Sequence, residues 1–140
     1  MSDFVIDANI LMSILISGKS SYRPILHHYQ FICPDFALVE IDKYSSVIQH
    51  KTKLSTQELR QWTYSVLREI TFLPRYILEP EVLQKARNLV EGVDEKDLSY
   101  VALAMQLDIV LLTRDIPLYT YARKSGFRKM LLFDEFLRKI

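Results

Sequence analysis

One cysteine, three glycines and five prolines in 140 residues exclude several classes of protein at once. A lone Cys33 permits no internal disulfide and no thiolate metal cluster, and beside Phe31 and Ile32 it reads as a small core residue. With 49% hydrophobic and 25% charged residues, extended disorder is not expected, and no glycine-rich loop is present to cradle a phosphate. Neither sign of charge dominates. The net charge is +1, so any surface for a polyanion must be local. No apolar run approaches the ~18 residues that span a bilayer. Residues 1–3 lack the basic segment of a signal peptide, and Asp7 and Asn9 interrupt the apolar stretch that follows. The expected compartment is therefore the reducing cytoplasm, with no membrane partner. Histidines are few as well. His27 and His28 are adjacent and diverge on a helix, and His50 is distant, which argues against a histidine metal site. Ser17, Ser20 and Ser21 lie near no evident base.

What is present is an alternation of short apolar runs and helical patterns. Phe4-Val5-Ile6 runs straight into Asp7, as a strand buried on both faces of a parallel sheet would. Residues 9–17 read as a helix closed by Gly18, and residues 22–29 as a second, with Pro24 early in it. Residues 31–33 form a brief strand, and a helix starting at Pro34 or Asp35 continues to about Lys51. Ser55-Thr56-Gln57-Glu58 is a capping box that opens a helix to about Glu69. Residues 70–73 form a strand, placed at an edge because Pro74 stops it. Helices follow over 80–91, from Asp94 through Leu107, and over 116–125. Strands at 109–113 and 129–132 complete the pattern, and Asp134 caps a terminal turn. The alternation predicts a parallel α/β sheet with helices on both faces. With no repeat, low-complexity tract or linker, residues 1–140 are expected to form one domain.

Four acids stand in apolar surroundings. Asp7 and Asp115 each end a buried strand, where open α/β sheets place ligands. Treated as one helix, residues 36–48 bring Ala37, Ile41, Tyr44 and Ile48 onto one face with Phe36 and Val47 beside them. Glu40 falls inside that stripe, where a bare carboxylate is costly. Asp97 shares a face with Val101 and Ala104, and Asp94 lies one turn earlier. Helix capping is the plain alternative for Asp7, Asp94, Asp97 and Asp115. If the strands carrying Asp7 and Asp115 are neighbours, these acids sit side by side with Glu40 and Asp97 facing them. Clustered carboxylates repel unless a hard divalent cation neutralises them, and oxygen-only ligands suit Mg²⁺ or Mn²⁺. The chemistry that follows is metal-assisted hydrolysis of a phosphodiester.

In Asp7-Ala8-Asn9, in Glu40 within Phe36-Ala37-Leu38-Val39-Glu40-Ile41, in Asp97 opening Asp97-Leu98-Ser99-Tyr100-Val101-Ala102-Leu103-Ala104, and in Thr113-Arg114-Asp115, the sequence resembles the PIN-domain family of metal-dependent nucleases. The resemblance covers nearly the whole chain and is to the compact, toxin-like VapC type. It implies a three-layer α/β/α fold around a parallel sheet of four or five strands. It implies that Asp7, Glu40, Asp97 and Asp115 are the catalytic acids and hold one or two Mg²⁺ or Mn²⁺ ions, with Asp94 as a further ligand. Asn9 and Thr113 match positions that orient the acids or a metal-bound water. The implied activity is endoribonuclease cleavage by direct attack of water, leaving the phosphate on the 5′ side of the downstream product. The implied partners are RNA, an antitoxin protein and a second copy in a homodimer. The middle region, residues 55–80, carries the least family pattern.

Among the basic residues Lys19, Arg114, Arg123, Lys124, Arg128 and Lys129, Arg114 beside Asp115 is the expected phosphate contact. Trp62, Tyr64 and Tyr76 are read as either interface or core. Two rivals remain. An aspartyl phosphotransferase using Asp7 as nucleophile would want a second acid two residues on, where Asn9 stands. A catalytically silent PIN-like module that binds nucleic acid or protein would keep the acids as caps or use them to hold a structural cation.

Overall fold

The computed structural model describes residues 3–140. Its centre is β1 (Asp3–Ile6), which pairs in parallel with β2 (Gln30–Pro34) on one side and β4 (Val110–Thr113) on the other. β3 (Ile70–Leu73) extends the sheet beyond β2, and β5 (Met130–Leu132) extends it beyond β4. The result is a five-stranded parallel sheet in the order β3-β2-β1-β4-β5, with β3 at an edge as Pro74 predicted. Phe4, Val5 and Ile6 are all buried, which is the both-faces burial expected of a central parallel strand.

Helices cover both faces. On one, Phe4 and Phe31 pack their rings against Tyr29 and Phe136, while Tyr22 stacks on Phe133. These contacts bring in α2 (Tyr22–His28) and α9 (Phe133–Lys139), beside α1 (Ala8–Ser17). α9 is two turns long where a single capped turn was expected, because Phe133 and Phe136, one turn apart, both find this aromatic cluster. On the other face α7 (Glu95–Leu107) crosses β1, β2 and β4 and is backed by α6 (Pro80–Leu89). Seven consecutive residues of α7, Leu98 to Ala104, are buried, as a helix enclosed on all sides requires.

The helix expected from Asp35 to about Lys51 is two helices. α3 (Phe36–Lys43) and α4 (Ser45–Lys51) meet at Tyr44, whose backbone (φ −99°, ψ 18°) leaves the helical range. The break changes the wheel. Ala37, Ile41 and Ile48 stay buried, but Tyr44 and Val47 turn outward. α5 (Thr56–Leu67) has the predicted capping box, with Ser55 and Glu58 bonded reciprocally. α8 (Ile116–Lys124) links β4 to β5. A 3₁₀ turn over Arg75–Ile77 was not expected. Gly18 ends α1 at φ 61°, and a Cβ there would fall 2.8 Å from Leu54, so both backbone and space demand glycine. No described helix is long and apolar enough to cross a membrane.

Candidate functional site

The strand order reverses direction between β1 and β4, so the chain leaves their carboxyl ends in opposite senses and opens a crevice there. In register, Ile6 lies opposite Leu112, which sets Asp7 level with Thr113. Asp7 is 8% exposed and caps α1 by accepting the Ile10 N–H at 2.9 Å. Thr113 is buried between the two acids. Its hydroxyl bonds the Asp7 carboxylate and accepts the Asp115 N–H at 3.0 Å. Asp115 in turn caps α8 through the Leu118 N–H at 3.0 Å. Asp94 caps α7 through the N–H of Asp97 at 2.9 Å.

Capping therefore accounts for one oxygen of Asp7, Asp94 and Asp115 and for none of Asp97, which sits in the first turn of α7. A carboxylate has about four acceptor directions, so a cap leaves most of its capacity unused. Asp7 and Asp97 also sense the neighbouring charges. Burial, with the charges of Asp97 and Asp115 adding to it, lifts the Asp7 carboxyl to about 6 against the bonds from Ile10 and Thr113. Burial followed by the charges of Asp94, Asp115 and Glu40 lifts Asp97 to about 6, against the pull of Lys96. Carboxylates from the ends of β1 and β4, from α3 and from the start of α7 thus form one mutually repelling group.

Glu40 is engaged by a cation and not by a helix cap. Its side chain is 18% exposed, and it is ion-paired to Lys96 across the α3–α7 gap. Among the described residues, no three histidine, cysteine or acidic side chains close on a common point as a metal would require. The donor chemistry still fits a hard cation, because every candidate ligand is a carboxylate and the group carries more negative charge than Lys96 balances. Lys96→Met should release Glu40. A half-exposed ion pair is worth about 0.2–1 kcal/mol, so calorimetry should give a Kd for Mn²⁺ up to about fivefold lower, and a weaker Kd would show that Lys96 does not compete.

Tyr100, one turn beyond Asp97, was not singled out from sequence. Its buried hydroxyl accepts the Ala8 N–H at 3.1 Å and so fixes the backbone behind Asp7. Burial pushes that phenol well above its ordinary range. Thr113 is the residue through which Asp7 and Asp115 are held at a fixed separation. Thr113→Val keeps the shape and removes both bonds. It should raise the Asp7 carboxyl further and, if this crevice hydrolyses a phosphodiester, lower kcat/KM about 10- to 100-fold. The pH–rate profile would show that shift, and an unchanged profile would contradict it.

Of the six basic candidates, only Arg114 lies at the crevice, where it donates to the Ser13 hydroxyl of α1. α1 and α8 both run back from the acids, so Lys19, Arg123 and Lys124 sit at or beyond their far ends. Arg123 donates to Met130, and Lys129 pairs with Asp108 ahead of β4, while Arg128 lines a surface near Phe4 and Val110 at the strand starts. These residues belong to the opposite edge of the sheet. Trp62 is buried in the core, whereas Tyr64 and Tyr76 are exposed. His27, His28 and His50 are exposed, and Cys33 is buried and free.

Two clefts flank α4. One of about 530 Å³ adjoins the acids and is lined by Asn9, Ser13, Glu40 and Arg114. The other, about 720 Å³, lies between α3–α4 and α5 and is floored by Leu15, Ile41, Leu59 and Phe72. The larger one contains none of the clustered acids, so volume does not locate the chemistry. A family model for the PIN domain matches residues 5–130. No curated protein matches the sequence.

Proposed function

This chain belongs to the PIN-domain family, whose fold is of nuclease type; on that premise we propose that residues 1–140 form one endoribonuclease domain that depends on Mg²⁺ or Mn²⁺. The observation that supports this reading is the gathering of acids from four separate elements at the one crevice where the strand order reverses. Asp7, Glu40, Asp97 and Asp115 are the residues that would hold the ion, with Asp94 as an outer ligand. When bound, such an ion offsets charge on a phosphodiester and makes water a better nucleophile. Thr113 and Tyr100 keep Asp7 in place. Asn9, exposed at the start of α1, and Arg114, tethered by Ser13, face the same cleft and would bind and orient the strand. Water attacks phosphorus as the bond to the 3′ oxygen breaks, which leaves a 3′ hydroxyl and a 5′ phosphate. No protein atom becomes bonded to phosphorus. Asn9 stands where an aspartyl phosphotransferase would want its second acid, which argues against Asp7 as a nucleophile.

The narrower reading is a VapC-type toxin acting on RNA in the cytoplasm, with an antitoxin protein and a second copy as partners. A small neighbouring gene encoding a DNA-binding protein would support it. One observation favours a catalytically silent binding module instead, namely the pairing of Glu40 with Lys96. Mixed-sequence RNA incubated with the protein and Mn²⁺ or Mg²⁺ separates the two. Cleavage should occur, stop with EDTA and disappear in Asp7→Asn and Asp97→Asn. Cleavage that survives both substitutions would sink the site. No cleavage together with no Mn²⁺ binding by calorimetry would establish the silent module.

A further inference from the structure

A second polar site lies away from the acids, at the edge of the sheet where the strands begin. α2 leads into β2 and α5 into β3, so His27 and Arg68 come to that edge together. Between the two helices is a pocket of about 320 Å³, at the small end of the ~300–1,000 Å³ range for bound organic groups. On α2, Arg23 and His27 stand one turn apart and share a face. Trp62, Ser65 and Glu69 form the facing stripe on α5 and just past it, with Arg68 alongside. Trp62 is the buried wall, fixed by its N–H on the Ile14 carbonyl, and the Arg23 guanidinium lies 5.4 Å from its ring centre. Arg68 lies over Tyr64 at 5.8 Å in the same way. A guanidinium stacked on a ring keeps the N–H groups of its edge free to donate, and their fork matches a phosphate. Ser65 gives its proton to the Trp62 carbonyl, so the arginines are the donors on offer. Among the described residues neither arginine is in an ion pair, although Glu69 lines the same pocket. Helix dipoles do not explain the set either. Arg68 suits the end of α5, but Arg23 stands in the first turn of α2, where positive charge is disfavoured.

We propose that this pocket binds the terminal phosphate of a phosphate monoester, with Arg23 and Arg68 donating to its oxygens from the two helices and His27 beside them. A dianionic monoester balances two guanidiniums, whereas a backbone diester carries a single charge. Glu69 also stands against a second phosphate following the first, as in a polynucleotide chain. The site is separate from the acids and does not rest on the ribonuclease reading.

Calorimetry on the full chain, in metal-free chloride buffer of fixed ionic strength, tests this with inorganic phosphate and with ribose 5-phosphate. Both should bind with a Kd of about 1 mM or tighter, while ribose and acetate should not bind at about 10 mM. Trp62 is the only tryptophan, so its fluorescence reports the place: a phosphate that engages Arg23 alters the group lying over the indole. Arg23 and Arg68 are exposed, so Arg23→Gln and Arg68→Gln should fold normally and each raise the phosphate Kd about fivefold or more. Glu69→Gln should lower it about twofold by removing a like charge. Lys85→Gln, exposed on α6 across the sheet, should leave it unchanged. A hexaribonucleotide with a 5′ phosphate distinguishes the sources of the monoester. Binding about tenfold tighter than that of ribose 5-phosphate would assign the pocket to an RNA end, and equal binding would assign it to a small metabolite. The proposal is overturned if neither calorimetry nor Trp62 fluorescence detects phosphate or ribose 5-phosphate at about 10 mM. It is equally overturned if binding survives both arginine substitutions, or if the 5′-hydroxyl hexaribonucleotide binds as tightly as the phosphorylated one.

Discussion

On the ribonuclease reading, Asp7→Asn should cut RNA cleavage sharply and at the same time make the metal-free protein more stable. The activity loss is expected at about 100- to 1,000-fold in kcat/KM, the range for removing one preorganised charged group from a reaction centre. Asparagine caps a helix as well as aspartate does, so α1 should stay capped. What disappears is a buried charge. The Asp7 carboxyl is lifted from 3.8 to about 6 in the folded chain, foremost by burial. Between those values the unfolded chain gives up a proton that the folded chain keeps. Stability of the metal-free protein therefore falls as pH rises from about 4 to about 6, and the deficit persists above it. For Asp7 that deficit is at most about 3 kcal/mol. The half-buried Asp97 adds to it in the same direction. Melting at pH 7.5 in EDTA should show Asp7→Asn above the parent by several degrees, with a flatter pH profile through the 4–6 window. An unchanged melting temperature with an unchanged pH profile would mean that the Asp7 carboxylate carries no stored repulsion.

Trp62→Ala should have the largest effect on stability. The indole is 5% exposed, lies among the core residues and donates its N–H to the Ile14 carbonyl at 3.0 Å, tying α5 to the last turn of α1. The Arg23 guanidinium lies 5.4 Å from the ring centre on the outer side. Truncation removes this packing and leaves a cavity, at about 3–5 kcal/mol, or on the order of 10 °C in melting temperature. The Ile14 carbonyl is not orphaned, because Gly18 and Ser17 also donate to it. Trp62→Phe should recover most of the loss. Urea titration checks both, and a loss below about 1 kcal/mol for alanine would mean that α5 is not fastened through this residue.

Much of the fold could be read from residue pattern because it is carried by local signals. The apolar runs at Phe4-Val5-Ile6 and at Leu111-Leu112 are the central strands, and the capping box at Ser55 starts its helix where expected. The adjacency of Asp7 and Asp115 followed from the two runs being parallel neighbours. Features set by distance along the chain were harder. Glu40 was drawn into the group by a helical wheel that assumed one helix through Tyr44, and that helix breaks there. Glu40 nevertheless lies against the acids, held by Lys96 across a gap that no sequence spacing announces. The candidate basic residues other than Arg114 lie away from the acids for a geometric reason. A helix that leaves the carboxyl end of a strand carries its own last turn to the opposite edge, so Arg123 and Lys124 end far from Asp115. Tyr100 had a usable signal in its position one turn beyond Asp97.

The pairing of β1 with β4 also fixes when this site can exist. β1 precedes β2 closely, but its other neighbour begins only at Val110, roughly a hundred residues further along the chain. During synthesis β1 can gain β2 as a partner early, while its other side stays an open, apolar edge until β4 arrives. The acids are delivered in the order Asp7, Glu40, Asp97, Asp115, and the last pair comes together only with the closing strands. Such a late, long-range step slows folding relative to a chain of local contacts. A fragment ending before Val110 would lack Thr113 and Asp115 and would present the β1 edge to solvent, where it invites aggregation.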